Sequence, residues 1–314
     1  MRFQRKEDIR IVYMGTPEIS AQVLSSLLQE GFQVIAVISN EDKEVGRKRI
    51  KTPTPVKQVA LEHGIPVYQP HRIKEEHAFL EGLDFDVLLT MAYGQIVPDE
   101  VLRAPKIGAI NLHGSLLPEY RGAAPIQRAI MDGKKKTGVT LMEMVQQMDA
   151  GKMYGKEEAE ILPQDNYTSL QKKIAEAAYV LASRTLLGYA NGELPGVEQD
   201  PALVTFAKKI LPEDEHLPLS LPISSLLCYI RGLSLTPGGY FLLEGKKLKV
   251  FEAELYSSES KGELGEILPD PKRLLIQGNG GILSVKFLQL EGKKEMDARS
   301  FLNGAKGLAG KRVE

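Results

Sequence analysis

Residues 111–122 bring an amide, an imidazole, a hydroxyl and a guanidinium into one unbroken stretch, NLHGSLLPEYRG. Asn111 and His113 follow the apolar run IGAI, which is typical of a buried strand, and their spacing of two residues predicts side chains on the same side of that strand. An amide donor beside an imidazole that can hold or release a proton suits reactions in which an oxyanion develops. The pair therefore predicts a catalytic site.

A carboxylate further along the chain is a candidate partner for this imidazole. Asp149 lies in the segment MDAG, shortly after the strand-like run TGVTLMEMV. A carboxylate beside His113 would fix the orientation of the ring and stabilise its protonated form. Taken alone, Asp149 is also typical of an ordinary turn, so its role depends on how closely the two segments approach.

The elements that must position these residues alternate between short strands and helices over the first 190 residues. IRIVYMG and QVIAVIS read as strands, and PEISAQVLSSLLQEG between them reads as a helix. This alternation predicts an α/β protein with a doubly wound, mainly parallel, Rossmann-like sheet, in which ligands bind at the C-terminal ends of the strands. MGTPE after the first strand lacks the G-x-G-x-x-G spacing, so a dinucleotide cofactor is not expected.

The pattern changes after residue 190, where a loop-rich stretch with several prolines precedes a strand-dominated region. Two runs of that region read as hairpins, one turning at Glu244-Gly245 and the other through residues 278–281. Such strands predict a small, OB-like β-barrel. The predicted division is a catalytic domain over 1–190, a linker over 191–212 and a C-terminal β-barrel domain over 213–314.

Composition narrows the possible partners and compartments. The 40 basic and 41 acidic residues give a formal net charge of -1, so a nucleic acid would have to be held by a local basic surface. The single cysteine, Cys228, cannot form an intramolecular disulfide, which favours a reducing compartment. No run has the length of a membrane span or the organisation of a signal peptide. We therefore expect a cytoplasmic protein, monomeric and without a membrane partner.

The stretch NLHGSLLPEYRGAAPIQRAI, with MDAG downstream, resembles the signature of the formyltransferases that use 10-formyltetrahydrofolate. The resemblance implies that Asn111, His113 and Asp149 form the catalytic trio. Within that superfamily the chain resembles the methionyl-tRNA formyltransferase family, because MGTPE, AYGQIVP, RGAAPIQRAI, GVTLM and VTFAKKI occur in that family's order and spacing. The chain departs from the family's usual pattern because it contains no tryptophan. The segment IRGLSLTPGGY, in particular, lacks the tryptophan that the family usually has there.

The resemblance implies direct transfer of a formyl group from 10-formyltetrahydrofolate to the α-amino group of methionine on initiator methionyl-tRNA, without a metal. The folate donor is expected along Met91, Ala92, Tyr93, Gly94, Ile96, Pro98, Ser115, Leu116, Leu117 and Pro118. The tRNA is expected to contact Arg47, Lys48 and Arg49, in the long polar loop NEDKEVGRKRIKTPTP, and also Lys209. The resemblance likewise implies that the C-terminal β-barrel domain over 213–314 binds tRNA.

Other functions also fit the trio. An amino-sugar nucleotide could replace tRNA as the acceptor, or water could replace the amine, which would give a formyltetrahydrofolate hydrolase. The basic loop favours tRNA, although such a loop is also typical of an ordinary solvated surface. A non-enzymatic RNA-binding protein would leave the trio unexplained. Arg121 either binds an anion or braces the loop that contains it.

Overall fold

The computed structural model describes residues 2–45, 49–305 and 307–314. Contacts between α-carbons divide the chain into two compact units. The first unit comprises residues 1–125, 136–160 and 171–207, and the second comprises residues 126–135, 161–170 and 208–314. Residues 191–207 of the predicted linker thus belong to the first unit. The predicted domain boundaries stay a prediction.

A seven-stranded sheet forms the centre of the first unit. The strands of this half of the chain are β1 (Arg10–Gly15), β2 (Gln33–Ile38), β3 (Lys43–Val45), β4 (Ile50–Thr52), β5 (Val67–Tyr68), β6 (Val87–Met91), β7 (Gly108–His113), β8 (Lys136–Glu143) and β9 (Met153–Glu160). The order across the sheet is β5-β2-β1-β6-β7-β8-β9. The first four pairings are parallel and the last two antiparallel, which confirms the predicted α/β fold with a mainly parallel sheet.

Helices connect the strands and bury one apolar face each. The helices of the chain are α1 (Glu18–Gln29), α2 (Pro55–Glu62), α3 (Asp99–Leu102), α4 (Pro125–Met131), α5 (Tyr167–Ala190), α6 (Ile223–Leu233) and α7 (Ala298–Gly304). Ile19, Val23 and Leu27 recur at four-residue steps on α1 and are all buried. Among the described residues, no helix combines the length and apolar character that crossing a membrane requires.

The core of the first unit brings the C-terminal ends of β1 and β6 close together. Val12 and Met14 of β1 lie in an apolar cluster with Leu88 of β6. A Cβ added to Gly15 would lie 2.8 Å from the Met91 carbonyl oxygen, so only glycine permits this approach at the strand ends. The sheet edge where ligands are expected is therefore built from closely packed backbone.

Two segments of the first unit differ from the sequence-based expectation. The long polar loop after β2 contains a hairpin, because β3 pairs with β4 in antiparallel fashion. Neither of these two strands was predicted from the sequence. Strand β9 was not predicted, because its sequence, MYGKEEAE, contains the charged residues Lys156, Glu157, Glu158 and Glu160.

The second unit contains an antiparallel sheet. Its strands are β10 (Gly239–Leu243), β11 (Lys246–Ser257), β12 (Ile267–Leu268), β13 (Leu274–Gly278), β14 (Gly281–Leu290) and β15 (Met296–Asp297). They lie in the order β10-β11-β14-β13-β12, with β15 beside β14. Glu244 and Gly245, both with positive φ, join β10 to β11, and Gly278 pairs with Gly281. Both predicted hairpins and the small, barrel-like β domain are confirmed.

Candidate active site

Strand β7 ends with the two residues on which the predicted chemistry depends. His113 is buried, with 5% of its surface exposed, and Asn111 is half-buried. Asn111 lies opposite Thr90 of β6, and His113 lies opposite Thr140 of β8. In the part of the chain that the structure describes, the Asn111 amide has no side-chain hydrogen bond. This amide is therefore available to donate to a ligand.

Both ring nitrogens of His113 face oxygen atoms of the protein. Nε2 lies 2.9 Å from the carbonyl oxygen of Tyr120, which can only accept, so Nε2 donates the hydrogen bond. Nδ1 lies 3.6 Å from Oδ1 of Asp149, a distance typical of an ion pair but longer than a hydrogen bond. The structure thus places Asp149 beside His113.

Asp149 is held in place by the same segment that follows β7. Its Oδ2 accepts a hydrogen bond of 2.8 Å from the backbone N–H of Gly122. Asp149 itself has φ 51°, in the left-handed region that residues other than glycine adopt only at a cost in conformational energy. Gly122 has φ 123°, and a Cβ there would lie 2.6 Å from the Ala207 carbonyl oxygen. Glycine is thus needed at the position that orients the carboxylate.

Arg121 braces the Asp149 loop through a glutamine that the sequence did not single out. Its Nε and Nη2 donate to Oε1 of Gln199 at 2.9 Å and 2.8 Å. Nε2 of Gln199 then donates to the carbonyl oxygens of Asp149, at 2.8 Å, and Gly151, at 2.9 Å. Arg121 is buried, so its guanidinium serves this network. No local pattern marks Gln199, because its partners lie about 50 and 80 residues earlier in the chain.

Thr140 fixes the loop that follows His113, and sequence reasoning did not identify this residue either. Its hydroxyl donates to the Ser115 carbonyl oxygen at 2.8 Å and accepts from the Leu117 N–H at 3.0 Å. Ser115 in turn donates to the carbonyl oxygen of Glu119 at 2.6 Å. The ammonium of Lys156 donates to the Leu117 carbonyl oxygen. The loop beside His113 is therefore held mainly through its own backbone.

A second loop at this edge of the sheet, residues 92–98, is fastened through one carbonyl group. The Tyr93 carbonyl oxygen accepts from the Thr16 hydroxyl at 3.0 Å and from Nδ2 of Asn40 at 2.7 Å. Oδ1 of Asn40 accepts from Nε2 of Gln95 at 2.7 Å. Asn40 thus bridges two residues of the loop, and the sequence gave no reason to single it out.

Burial separates the predicted folate-binding residues into groups. The Tyr93 ring lies in the apolar core, and burial raises the pKa of its hydroxyl, which therefore stays neutral. Ile96, in contrast, is 83% exposed. The buried members are Met91, Tyr93, Ser115, Leu117 and Pro118; the exposed members are Ala92, Gly94 and Ile96; and Pro98 and Leu116 are half-buried. The exposed and half-buried members are the ones whose side chains or Cα atoms a ligand can reach.

The predicted tRNA-binding residues are only partly within the described structure. Arg47 and Lys48 lie outside the described residues. Arg49 has an 84% exposed side chain, and its Nε lies 3.2 Å from a carboxylate oxygen of Glu44. Lys209 is exposed and belongs to the second unit. The same described residues contain no group of three or more histidine, cysteine, aspartate or glutamate side chains placed to hold a metal ion.

Comparison with known families accounts for both units. The family model described as formyl transferase matches residues 9–186, and the model described as formyl transferase, C-terminal domain, matches residues 209–306. The chain therefore belongs to the formyl transferase family.

Relatives with curated names indicate one branch of this family. The chain is 44% identical over 299 residues to the methionyl-tRNA formyltransferase of Listeria innocua serovar 6a, covering 94% of this chain and 96% of the relative. It is 40% identical over 309 residues to the methionyl-tRNA formyltransferase of Staphylococcus aureus strain JH1, covering 97% and 99%. Similarity to methionyl-tRNA formyltransferases thus extends through both units.

Solved structures share the fold at low sequence identity. HypX from Aquifex aeolicus, in complex with tetrahydrofolic acid, matches with a TM-score of 0.67 and 18% identity, over 96% of this chain and 48% of HypX. WlaRD, a sugar 3N-formyl transferase, matches with a TM-score of 0.65 and 18% identity, over 91% of this chain and 99% of WlaRD. These similarities confirm the fold.

Proposed function

We propose that this chain transfers a formyl group from 10-formyltetrahydrofolate to the α-amino group of methionine on initiator methionyl-tRNA. The observation that carries this proposal is the buried His113, which lies between the Asp149 carboxylate and the Tyr120 carbonyl. Two residues earlier, the Asn111 amide has no side-chain partner among the described residues. The 44% identity to a methionyl-tRNA formyltransferase supports the choice of acceptor.

Asn111 and His113 would stabilise the charge that develops during transfer. When the amine nitrogen attacks the formyl carbon, a C–N bond forms and the carbonyl oxygen becomes an oxyanion. The Asn111 amide and a protonated His113 are donors fixed at one strand end, which suits an oxyanion that exists only in the transition state and intermediate. A free α-amino group has a pKa of about 8, so much of the acceptor is neutral near physiological pH.

Collapse of the intermediate breaks the bond between the formyl carbon and the folate nitrogen, while one proton leaves the amine for solvent and a second proton reaches the departing folate nitrogen. His113 is suited to deliver the second proton, because its ring lies at the strand end and faces a carboxylate. For this step one ring nitrogen must exchange its protein neighbour for the substrate. Nδ1 is the more loosely held of the two, at 3.6 Å from Asp149 against 2.9 Å for Nε2 and Tyr120.

The donor and the acceptor would use different loops of this edge. We infer that the folate lies against the reachable members of the predicted set, which are Ala92, Gly94, Ile96, Pro98 and Leu116. Arg47, Lys48 and Arg49 of the loop after β2, and Lys209 of the second unit, are proposed to contact tRNA phosphates, because cationic side chains attract the phosphate anions. No covalent intermediate with the protein is needed, because the amine itself is the nucleophile.

The test is transfer of labelled formyl from 10-formyltetrahydrofolate to methionine-charged initiator tRNA. Uncharged initiator tRNA and an amino-sugar nucleotide serve as alternative acceptors, and His113→Ala serves as the inactive control. Label recovered only on the charged tRNA is the expected result. Label on the sugar, or free formate released with every acceptor, would retain the formyl chemistry and overturn the proposed acceptor.

A further inference from the structure

A cavity of about 590 Å³ lies at the N-terminal end of β7, the opposite end of the strand from His113. This volume is within the usual range of small-molecule sites. Leu102, Met144 and Leu194 supply apolar parts of its lining. The five-residue separation of Gly108 from His113 corresponds to about 16 Å at roughly 3.3 Å per residue, so the cavity is distinct from the candidate active site.

One lining group is a tyrosine hydroxyl that none of the described protein groups satisfies. Tyr189 of α5 is only 9% exposed, and among the described residues its hydroxyl has no hydrogen-bond partner. A Cβ on Gly108 would lie 2.4 Å from this hydroxyl oxygen, so glycine at the start of β7 leaves the space that it occupies. The hydroxyl oxygen is accessible from the cavity, so it can form a hydrogen bond with a ligand there.

The charge in the cavity is that of one carboxylate. Asp99 and Arg103 form an ion pair at 3.2 Å, so their opposite charges cancel. Glu143 is half-buried, and the described part of the chain offers its side chain no ion pair or hydrogen bond. The neighbouring Lys152 pairs instead with Glu198 at 3.5 Å. An uncompensated, half-buried carboxylate favours a cationic ligand.

Two tyrosine rings lie beside this carboxylate. Tyr154 and Tyr189 have ring centroids 4.8 Å apart and planes at 71°, so they form a corner in the lining. Burial, and then the charge of Glu143, raises the pKa of Tyr154, and burial likewise raises the pKa of Tyr189. Both hydroxyls therefore stay neutral, and Glu143 alone determines the net charge.

We propose that this cavity binds a small organic cation, an ammonium group with apolar substituents, through Glu143, Tyr154 and Tyr189. The carboxylate balances the charge, and aromatic rings attract an alkylated ammonium that has little hydration to lose. A metal ion is a poorer match, because one carboxylate and two neutral hydroxyls are too few hard ligands for Ca²⁺ or Mg²⁺. This inference does not depend on the proposed formyl transfer.

Choline and its neutral isostere 3,3-dimethylbutan-1-ol provide a direct test with the full-length protein. The two probes have nearly the same shape and differ in charge, and their affinities can be compared by calorimetry at constant ionic strength. We expect choline to bind at least fivefold more tightly than the alcohol. Equal affinities, or no choline binding at all, would overturn the proposal.

Variants locate the binding and separate it from folding. Glu143→Gln should weaken choline binding at least fivefold, whereas Glu158→Gln, an exposed carboxylate of β9, should leave it unchanged. Tyr189→Phe should weaken the binding of choline more than the binding of tetramethylammonium, because choline offers a hydroxyl partner for Tyr189 and tetramethylammonium offers none. Thermal unfolding and formyl transfer should match the unaltered protein in Glu143→Gln. Unchanged choline affinity in this variant would refute the site.

Discussion

The loops after β2 and after β7 leave the same edge of one parallel sheet but are built in contrasting ways. The segment after β7 is fixed by hydrogen bonds to Thr140, Gln199 and Asp149, most of which reach its backbone or the buried Arg121. The segment after β2 contains a short hairpin with exposed charges, such as Arg49 beside Glu44. The first arrangement holds reacting groups still, and the second presents charge to solvent.

The difference corresponds to two physical tasks. A donor to an oxyanion must be placed before the reaction, because reorienting dipoles during the reaction costs free energy. Attraction of a polyanion acts over about a Debye length and tolerates variation in side-chain position. Substitutions after β7 should therefore affect the rate, whereas substitutions after β2 should affect binding and its dependence on salt.

The largest effect is expected for His113→Ala. Loss of both the proton donor and the cationic neighbour of the oxyanion should lower kcat/KM about 10³-fold or more. Steady-state formyl transfer measures this, and thermal unfolding checks the fold. His63→Ala, which removes an exposed histidine, is the matched control and should retain full activity. Substantial activity in His113→Ala would show that the imidazole is not the catalytic group.

A smaller loss is expected for Asp149→Asn. The amide keeps an oxygen for the Gly122 N–H but removes the charge near Nδ1 of His113, so kcat should fall about 10²-fold. Nearby Asp200→Asn, at an exposed carboxylate that accepts from the Ala202 N–H, should change kcat little. Equal effects of the two substitutions would contradict a specific role for Asp149.

Gln199→Ala tests the brace behind Asp149. It leaves the buried guanidinium of Arg121 without its amide oxygen, so the free energy of unfolding should fall by about 1–3 kcal/mol. Loss of the bonds to the Asp149 and Gly151 carbonyls should also lower kcat about tenfold. Chemical denaturation and single-turnover kinetics measure the two effects. A loss of stability with no change in kcat would confine Gln199 to folding.

Asn40→Ala should affect binding of the donor more than the chemical step. Without its side chain, the Tyr93 carbonyl loses one donor and Gln95 loses an acceptor, so the loop of residues 92–98 is less well fixed. KM for 10-formyltetrahydrofolate should rise several-fold with kcat nearly unchanged. The reverse pattern, a reduced kcat at constant KM, would place Asn40 with the catalytic residues.

The smallest effect is expected for Arg49→Ala. One exposed phosphate contact should change Kd for tRNA only a few-fold, and the salt dependence of binding should become slightly less steep. Filter binding across a range of salt concentrations measures both quantities. Lys152→Ala, an exposed lysine elsewhere on the first unit, should leave the salt dependence unchanged. An identical salt dependence in Arg49→Ala would remove this residue from the proposed interface.

Local patterns predicted the fold well because its signals are short-range. The apolar runs of β1 and β2, the four-residue spacing in α1 and the turn at Glu244-Gly245 each specify structure within a few residues. Strand β9 was not recognised from the sequence, because a charged edge strand lacks the apolar run that marks β1. The hairpin of β3 and β4 escaped for the same reason, since its residues are mostly charged or polar.

The proposed catalytic residues were accessible to sequence reasoning, and the residues that hold them in place were not. Asn111 and His113 share a strand end, so their geometry follows from the period of a β-strand. Gln199 and Asn40 act only through residues distant in the chain, and no local spacing reveals such contacts. Burial also refined the folate set, because the sequence cannot show that Tyr93 points into the core while Ile96 faces outward.

The outer edge of β9 has a consequence for how the protein behaves at high concentration. An unpaired strand edge is a template on which another chain can add and begin aggregation. At the start of β9, Met153 exchanges backbone hydrogen bonds of 2.8 and 2.9 Å with Val197, which blocks that position. Further along, exposed Lys156, Glu158 and Glu160 place charges that an incoming strand would have to desolvate. A strand that could not be recognised in the sequence thus protects its own edge of the sheet from unwanted assembly.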